Sequence, residues 1–146
     1  MDYENDKNNT FFRFEDLRIY HKALSYAKWI NEVSSPHFEM QNKVIIERFN
    51  TSSHDIVLNI AEGSARNKSQ FIYYLKMAKS SVRQCLVFTS ICHQLGFFSE
   101  EEEDESRMQL MEMTKMIGAL ISSLQRNNNN KRVDGSSEYE DDLPVD

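Results

Sequence analysis

The stretch that decides the fold is Asn59-Ile60-Ala61-Glu62-Gly63-Ser64-Ala65-Arg66-Asn67-Lys68-Ser69. Glu62 stands beside one of only four glycines in the chain, with Arg66 four residues on. Two readings compete: a catalytic corner built on an acid–base pair, or a joint between two helices. The first needs a nucleophile held against its base, and no serine, cysteine or histidine is evidently placed to serve Glu62 and Arg66. The second accounts for every residue. Gly63 relieves a helix end, Arg66 bridges back to Glu62 or to the end carbonyls, and Asn67 caps the next helix. Gln70, at the third helical position, completes an Asn-x-x-Gln capping box.

Upstream of the joint, a helix is predicted from about Met40 to Ala61. Ile45, Phe49, Ile56 and Ile60 form its core row, Ser52 and Ser53 permit close approach, and Arg48, Asp55, Asn59 and Glu62 run alongside as a polar line. Before it, Leu17 to Val33 carries Ile19, Ala23, Tyr26, Ile30 and Val33 at 4-3-4-3 spacing, with Tyr20, Leu24 and Ala27 as a second row. Its apolar arc spans about 240°, where a helix in a monomeric bundle needs only about 100°. The excess hints at oligomerisation. Ser34-Ser35-Pro36 ends this helix.

Downstream, the third predicted helix runs to about Leu95 without proline or glycine. It carries two seams with 3-4 alternation: Phe71, Leu75, Ala78, Val82, Cys85, Thr89, Cys92, and Tyr74, Met77, Ser81, Gln84, Phe88, Ile91, Leu95. Two seams place one helix against several neighbours. Gly96 closes it. Ser99 and Glu102 then make a capping box for a fourth helix to about Arg126, with Leu110, Met113, Ile117, Leu120 and Leu124 inward. Met108, Met111, Met113 and Met116 are expected to fill core gaps. Asn127 to Asn130 are expected to end the helix. The expectation is an all-α, antiparallel up-down-up-down four-helix bundle over residues 12–126, flanked by a disordered arm at 1–11 and a disordered acidic tail at 127–146.

The formal charge of −6 is unevenly spread. Residues 1–10 sum to −2 and residues 131–146 to −4, whereas residues 11–98 hold eleven bases against seven acids. Carboxylates also crowd into Glu100–Glu105, where they complement a helix N-terminus. Between residues 67 and 98 there is no acid, yet Lys68, Lys76, Lys79 and Arg83 are present, with Arg66 just before. Solvated helix faces usually mix signs, so this stripe could track phosphates; the competing reading pairs it with acids of a neighbouring helix or subunit.

Several chemistries find no support. Gly63, Gly96, Gly118 and Gly135 are too far apart for a phosphate-binding loop. His21, His37, His54 and His93 have no metal-ligand spacing with one another or with Cys85 and Cys92. The two cysteines, two turns apart on one helix, are expected to be buried structural thiols. No cofactor is implied. No apolar run approaches the roughly 20 residues of a membrane span, and the polar, acidic first ten residues are no targeting peptide. A cytoplasmic protein is the expectation.

Three segments carry a resemblance: Phe14–Ile30 (FEDLRIYHKALSYAKWI), Asn59–Arg66 (NIAEGSAR) and Phe71–Ser81 (FIYYLKMAKSS). In order and spacing, residues 12–126 resemble the four-helix-bundle family first noticed as reading frames inside intervening sequences of bacterial 23S ribosomal RNA genes. Asn59, Glu62, Gly63, Arg66, Asn67 and Ser81 belong to its signature. The resemblance implies a ring, typically a homopentamer, without known catalytic activity. A related bundle, the accessory variability protein of diversity-generating retroelements, forms a basic pentameric barrel that binds a reverse transcriptase and nucleic acid. The chain departs from the family pattern at Asn50 and Thr51, where arginines are usual, and at Ala78-Lys79-Ser80-Ser81 with Gln84. The resulting expectation is a non-enzymatic, self-assembling accessory protein that binds RNA or DNA through Arg66, Lys68, Lys76, Lys79 and Arg83. The alternative is a scaffold that docks a partner such as a reverse transcriptase.

Overall fold

The computed structural model describes residues 11–132, with side chains to residue 126; residues 1–10 of the expected arm and 133–146 of the expected tail lie outside it. Four long helices make up the described chain, and it contains no strand. Helix α1 spans Arg18–Ser34, α2 Lys43–Ser64, α3 Lys68–Gln94 and α4 Glu100–Arg132. Short 3-10 turns at Arg13–Asp16 and Ser35–His37 precede and follow α1, the second holding Pro36 where its missing N–H costs nothing.

The helix ends follow from local chemistry. Asn67 Oδ1 accepts the Gln70 backbone N–H at 3.0 Å, opening α3. Gly96, at φ +82°, takes the left-handed position after α3 that an L side chain resists. At α4 the capping box is reciprocal: Glu102 N donates to Ser99 Oγ at 3.1 Å, and Ser99 N to Glu102 Oε1 at 2.9 Å. Asn127–Asn130 do not stop α4, which continues to Arg132 rather than ending at Arg126. Asparagine lowers helix propensity by well under 1 kcal/mol per residue, too little to break a helix already propagating.

Gly63 corrects a second expectation. It lies inside α2 and is buried, so it does not release the chain. A Cβ placed there would stand 2.6 Å from Tyr74 Cβ and 3.0 Å from Phe71 Cδ1. Its job is to let α2 and α3 approach closely beside the joint. On α2 the expected Ile45 is half-buried and packs against the core, while its neighbour Ile46 is buried.

Each helix contributes a row to one core: Tyr26 and Ile30 from α1, Phe49, Ile56 and Ile60 from α2, Met113 and Ile117 from α4. The first seam of α3 is buried at all seven positions, whereas in the second Met77, Gln84 and Leu95 are exposed. Helix α1 packs against α2 and α4, α2 against α3, and α3 against α4. Phe49 stacks on Phe88 at 5.6 Å, and Ser52 Oγ donates to Gln84 Oε1 at 3.1 Å.

One polar thread crosses this core. Tyr26 Oη lies 2.8 Å from Ser106 Oγ, which lies 2.7 Å from Thr89 Oγ1, which donates to the Cys85 carbonyl at 2.8 Å. Each hydroxyl has one proton. Thr89 spends its own on Cys85, so Ser106 must donate to Thr89 and Tyr26 to Ser106. The thread ties α1, α3 and α4 in one register, with every buried hydroxyl satisfied. Burial pushes the Cys92 thiol up to about 11 and raises Cys85 and Tyr26 further, so all three stay protonated at neutral pH.

Candidate nucleic-acid interface

The core seam of α3 fixes where its charges point. With Phe71, Leu75, Ala78 and Val82 buried, Lys68, Lys76, Lys79 and Arg83 fall within about 80° of one another on the flank toward α4. The three lysines are half-buried and Arg83 is exposed. Long basic side chains laid this way cover apolar surface with their stems and keep the charged heads in water. Among the described residues, no carboxylate comes within 4 Å of Lys68, Lys76 or Lys79. Arg83 Nη2 donates to Ser80 Oγ at 3.2 Å.

Arg83 also lines a groove of about 310 Å³ between α3 and α4, with Leu86, Arg107, Met108, Met111 and Thr114. Here lies a part of the face that the residue-by-residue reading missed. Arg107 of α4 shares that groove with Arg83, and from Met113 to Arg132 the helix carries no acid, with Lys115 and Arg126 exposed on it. The signal was present as an acid-free run, hidden by the six acids that open the same helix. Met108 and Met111 correct an expectation too: they are 48% and 52% exposed, whereas Met113 is buried in the core and Met116 packs against it. The last acid of α4, Glu112, lies 3.3 Å from Lys22 of α1.

Arg66 does not join the stripe. Its Nε and Nη2 donate to the same oxygen, Glu62 Oε2, at 3.0 and 2.7 Å, and its guanidinium lies 5.3 Å from the Tyr74 ring centre. Tyr74 faces α2, on the far side of α3 from Lys68 and Lys79. The signature residues sit at the joint: Asn59 Nδ2 donates back to the Asp55 carbonyl at 2.9 Å, and Asn67 caps α3. Ser81 is buried on α3. The Glu62–Arg66 pair is therefore an interhelical clasp on the surface.

Other concavities differ in character. A groove of about 520 Å³ between α2 and α3 mixes Glu47 and Asp55 with Arg48, whose guanidinium sits over the Phe88 ring. Among the described residues no three His, Cys, Asp or Glu side chains converge as a metal site, and no helix is long and apolar enough to cross a membrane.

Fold and site together define a four-helix, all-α protein with a cationic face of one sign. The chain belongs to the 23S rRNA-intervening sequence protein family, whose model matches residues 15–119. No curated protein matches the chain.

Proposed function

We propose that this protein is a non-enzymatic, self-assembling accessory protein that binds nucleic acid, or a ribonucleoprotein, through the face shared by α3 and α4. The carrying observation is that Lys68, Lys76 and Lys79 have no carboxylate partner among the described residues and lie beside the acid-free half of α4. Unneutralised bases of one sign on a rigid surface release counterions when they meet phosphates, which gives affinity without sequence reading. The family's tie to ribosomal RNA genes is consistent with an RNA-linked setting.

In this reading the helices alternate in direction, an up-down-up-down antiparallel bundle. Support comes from pairings whose numbers rise on one helix as they fall on the next: Phe49 with Phe88, Ser52 with Gln84, Gly63 with Tyr74. The bundles assemble as a ring, a homopentamer by family resemblance, in the cytoplasm. Five copies of a weak face would then bind with avidity.

The test is binding of a single-stranded RNA of about 25 nucleotides across a salt series. Three to five phosphate contacts per engaged face predict a log–log slope of about −2 to −3.5. Absence of binding at about 50 mM salt, or a slope near zero, contradicts the reading.

A second reading has its own observation. Tyr73, Met77, Val87 and Leu95 are 41%, 42%, 59% and 53% exposed and fall within about 80° on the outer side of α3. This apolar strip suits a protein contact, with another copy or with a docked partner such as a reverse transcriptase. Polar substitutions at Met77 and Val87 that leave both assembly and partner capture intact count against it.

A further inference from the structure

The basic face has a counterpart in the same chain. Residues 133–146 hold six carboxylates (Asp134, Glu138, Glu140, Asp141, Asp142 and Asp146) and no base. They follow directly on α4, which ends at Arg132. We propose that this segment folds back along the α3–α4 face and occupies it as an internal polyanion, so that nucleic acid must displace it. The regulatory role rests on the nucleic-acid reading above; the docking itself does not.

Reach and register permit it. Val82 and Leu86 of α3 share a groove with Leu110 and Thr114 of α4, so Lys79 lies level with about residue 117 of α4. Arg132 is then roughly 15 residues further on, about 22 Å along the helix. Fourteen extended residues span about 46 Å, enough to return past Lys79 to Arg83. Asp134-Gly135, immediately after the helix, is a dipeptide suited to reversing the chain. Charge also selects the site. The first turns of α4 hold Glu100–Glu105 and would repel the segment, while the stretch from Lys115 to Arg126 beside Lys68–Lys79 offers bases alone. Tethering replaces a bimolecular encounter with an effective concentration in the millimolar range, so weak contacts suffice.

Carboxyl-to-amine coupling with a zero-length carbodiimide on the full chain tests docking without nucleic acid. Expected are links from Glu138–Asp142 to Lys68, Lys76, Lys79 or Lys115 in the band of monomer mass. Links chiefly to Lys22, Lys28 or Lys43, links from residues 2–6 in their place, or no links from this segment overturn the proposal. A full-length variant with the six acids changed to Asn or Gln tests its consequence. It should bind single-stranded RNA about tenfold or more tighter at about 50 mM salt, the ratio falling toward one near 0.5 M. Equal affinity of both chains for RNA overturns the proposal while leaving nucleic-acid binding intact. Mapped links with neither chain binding RNA sustain docking and refute the nucleic-acid reading.

Discussion

Single residues set the tolerances of this fold, and Gly63 is the sharpest. Alanine there gains up to about 1 kcal/mol of helix propensity. Its methyl would meet Tyr74 Cβ at 2.6 Å, a fixed atom that cannot swing aside. Overpacking costs typically 1–3 kcal/mol, so the clash wins. Gly63→Ala should lower stability by about 1–2 kcal/mol, a Tm fall of roughly 3–8 °C by calorimetry. An unchanged or raised Tm would show that α2 and α3 can separate freely. The hydroxyl thread makes a second comparison. Tyr26→Phe removes only a donor, leaving Ser106 bonded to Thr89, and should cost about 1 kcal/mol. Ser106→Ala strands the Tyr26 proton in the core and should cost about 1–3 kcal/mol, more than Tyr26→Phe. The double variant should cost less than the sum, because the stranded proton is gone. Chemical denaturation of the three variants ranks them. Alkaline pH probes the same core. Cys92 is held up to about 11 from an ordinary 9.0, and Cys85 and Tyr26 are raised by the same burial. Above pH about 9 the unfolded chain therefore binds fewer protons than the native one, and stability falls as pH rises. The urea midpoint should drop between about pH 8 and 10.5; a constant midpoint would mean these groups titrate normally in the folded chain.

At the scale of elements, the helices were legible because each end carries its own chemistry. Asn67, Gly96 and the Ser99–Glu102 box each mark a boundary without reference to the rest of the chain. The first seam of α3 was equally readable, since its period alone picks out seven residues that are all buried, with Ile72, Ser81 and Phe88 buried beside it. Features that depend on a partner helix were not. Gly63 reads as a helix stop until Tyr74 is placed against it. Met108 and Met111 read as core until α4 is rotated to face Met113 inward. Arg66 looks like part of the basic stripe because it adjoins Lys68 in sequence, yet the turn at Ala65–Asn67 sends it to the α2 side. Arg107 joins Arg83 only once α4 lies against α3. Charges four residues apart are a local signal, whereas a face made by two helices is not.

The whole molecule presents two adjacent outward surfaces on α3, one basic and one apolar. The apolar strip of Tyr73, Met77, Val87 and Leu95, with the half-exposed Leu24 on α1, is more than a lone bundle needs. Native mass spectrometry should give five times the 17.2 kDa chain mass, and a monomer at micromolar concentration would remove the avidity from the account. The central claim is that position, not total charge, makes the α3 flank bind nucleic acid. Lys76→Ala/Lys79→Ala/Arg83→Ala should be compared with Arg18→Ala/Lys28→Ala/Lys43→Ala, which removes the same charge from exposed sites on α1 and α2. At about 100 mM salt the first variant should lose roughly tenfold or more in RNA affinity and about 2 units of salt slope, and the second should lose far less. Equal losses in the two variants, or none in the first, would contradict the account.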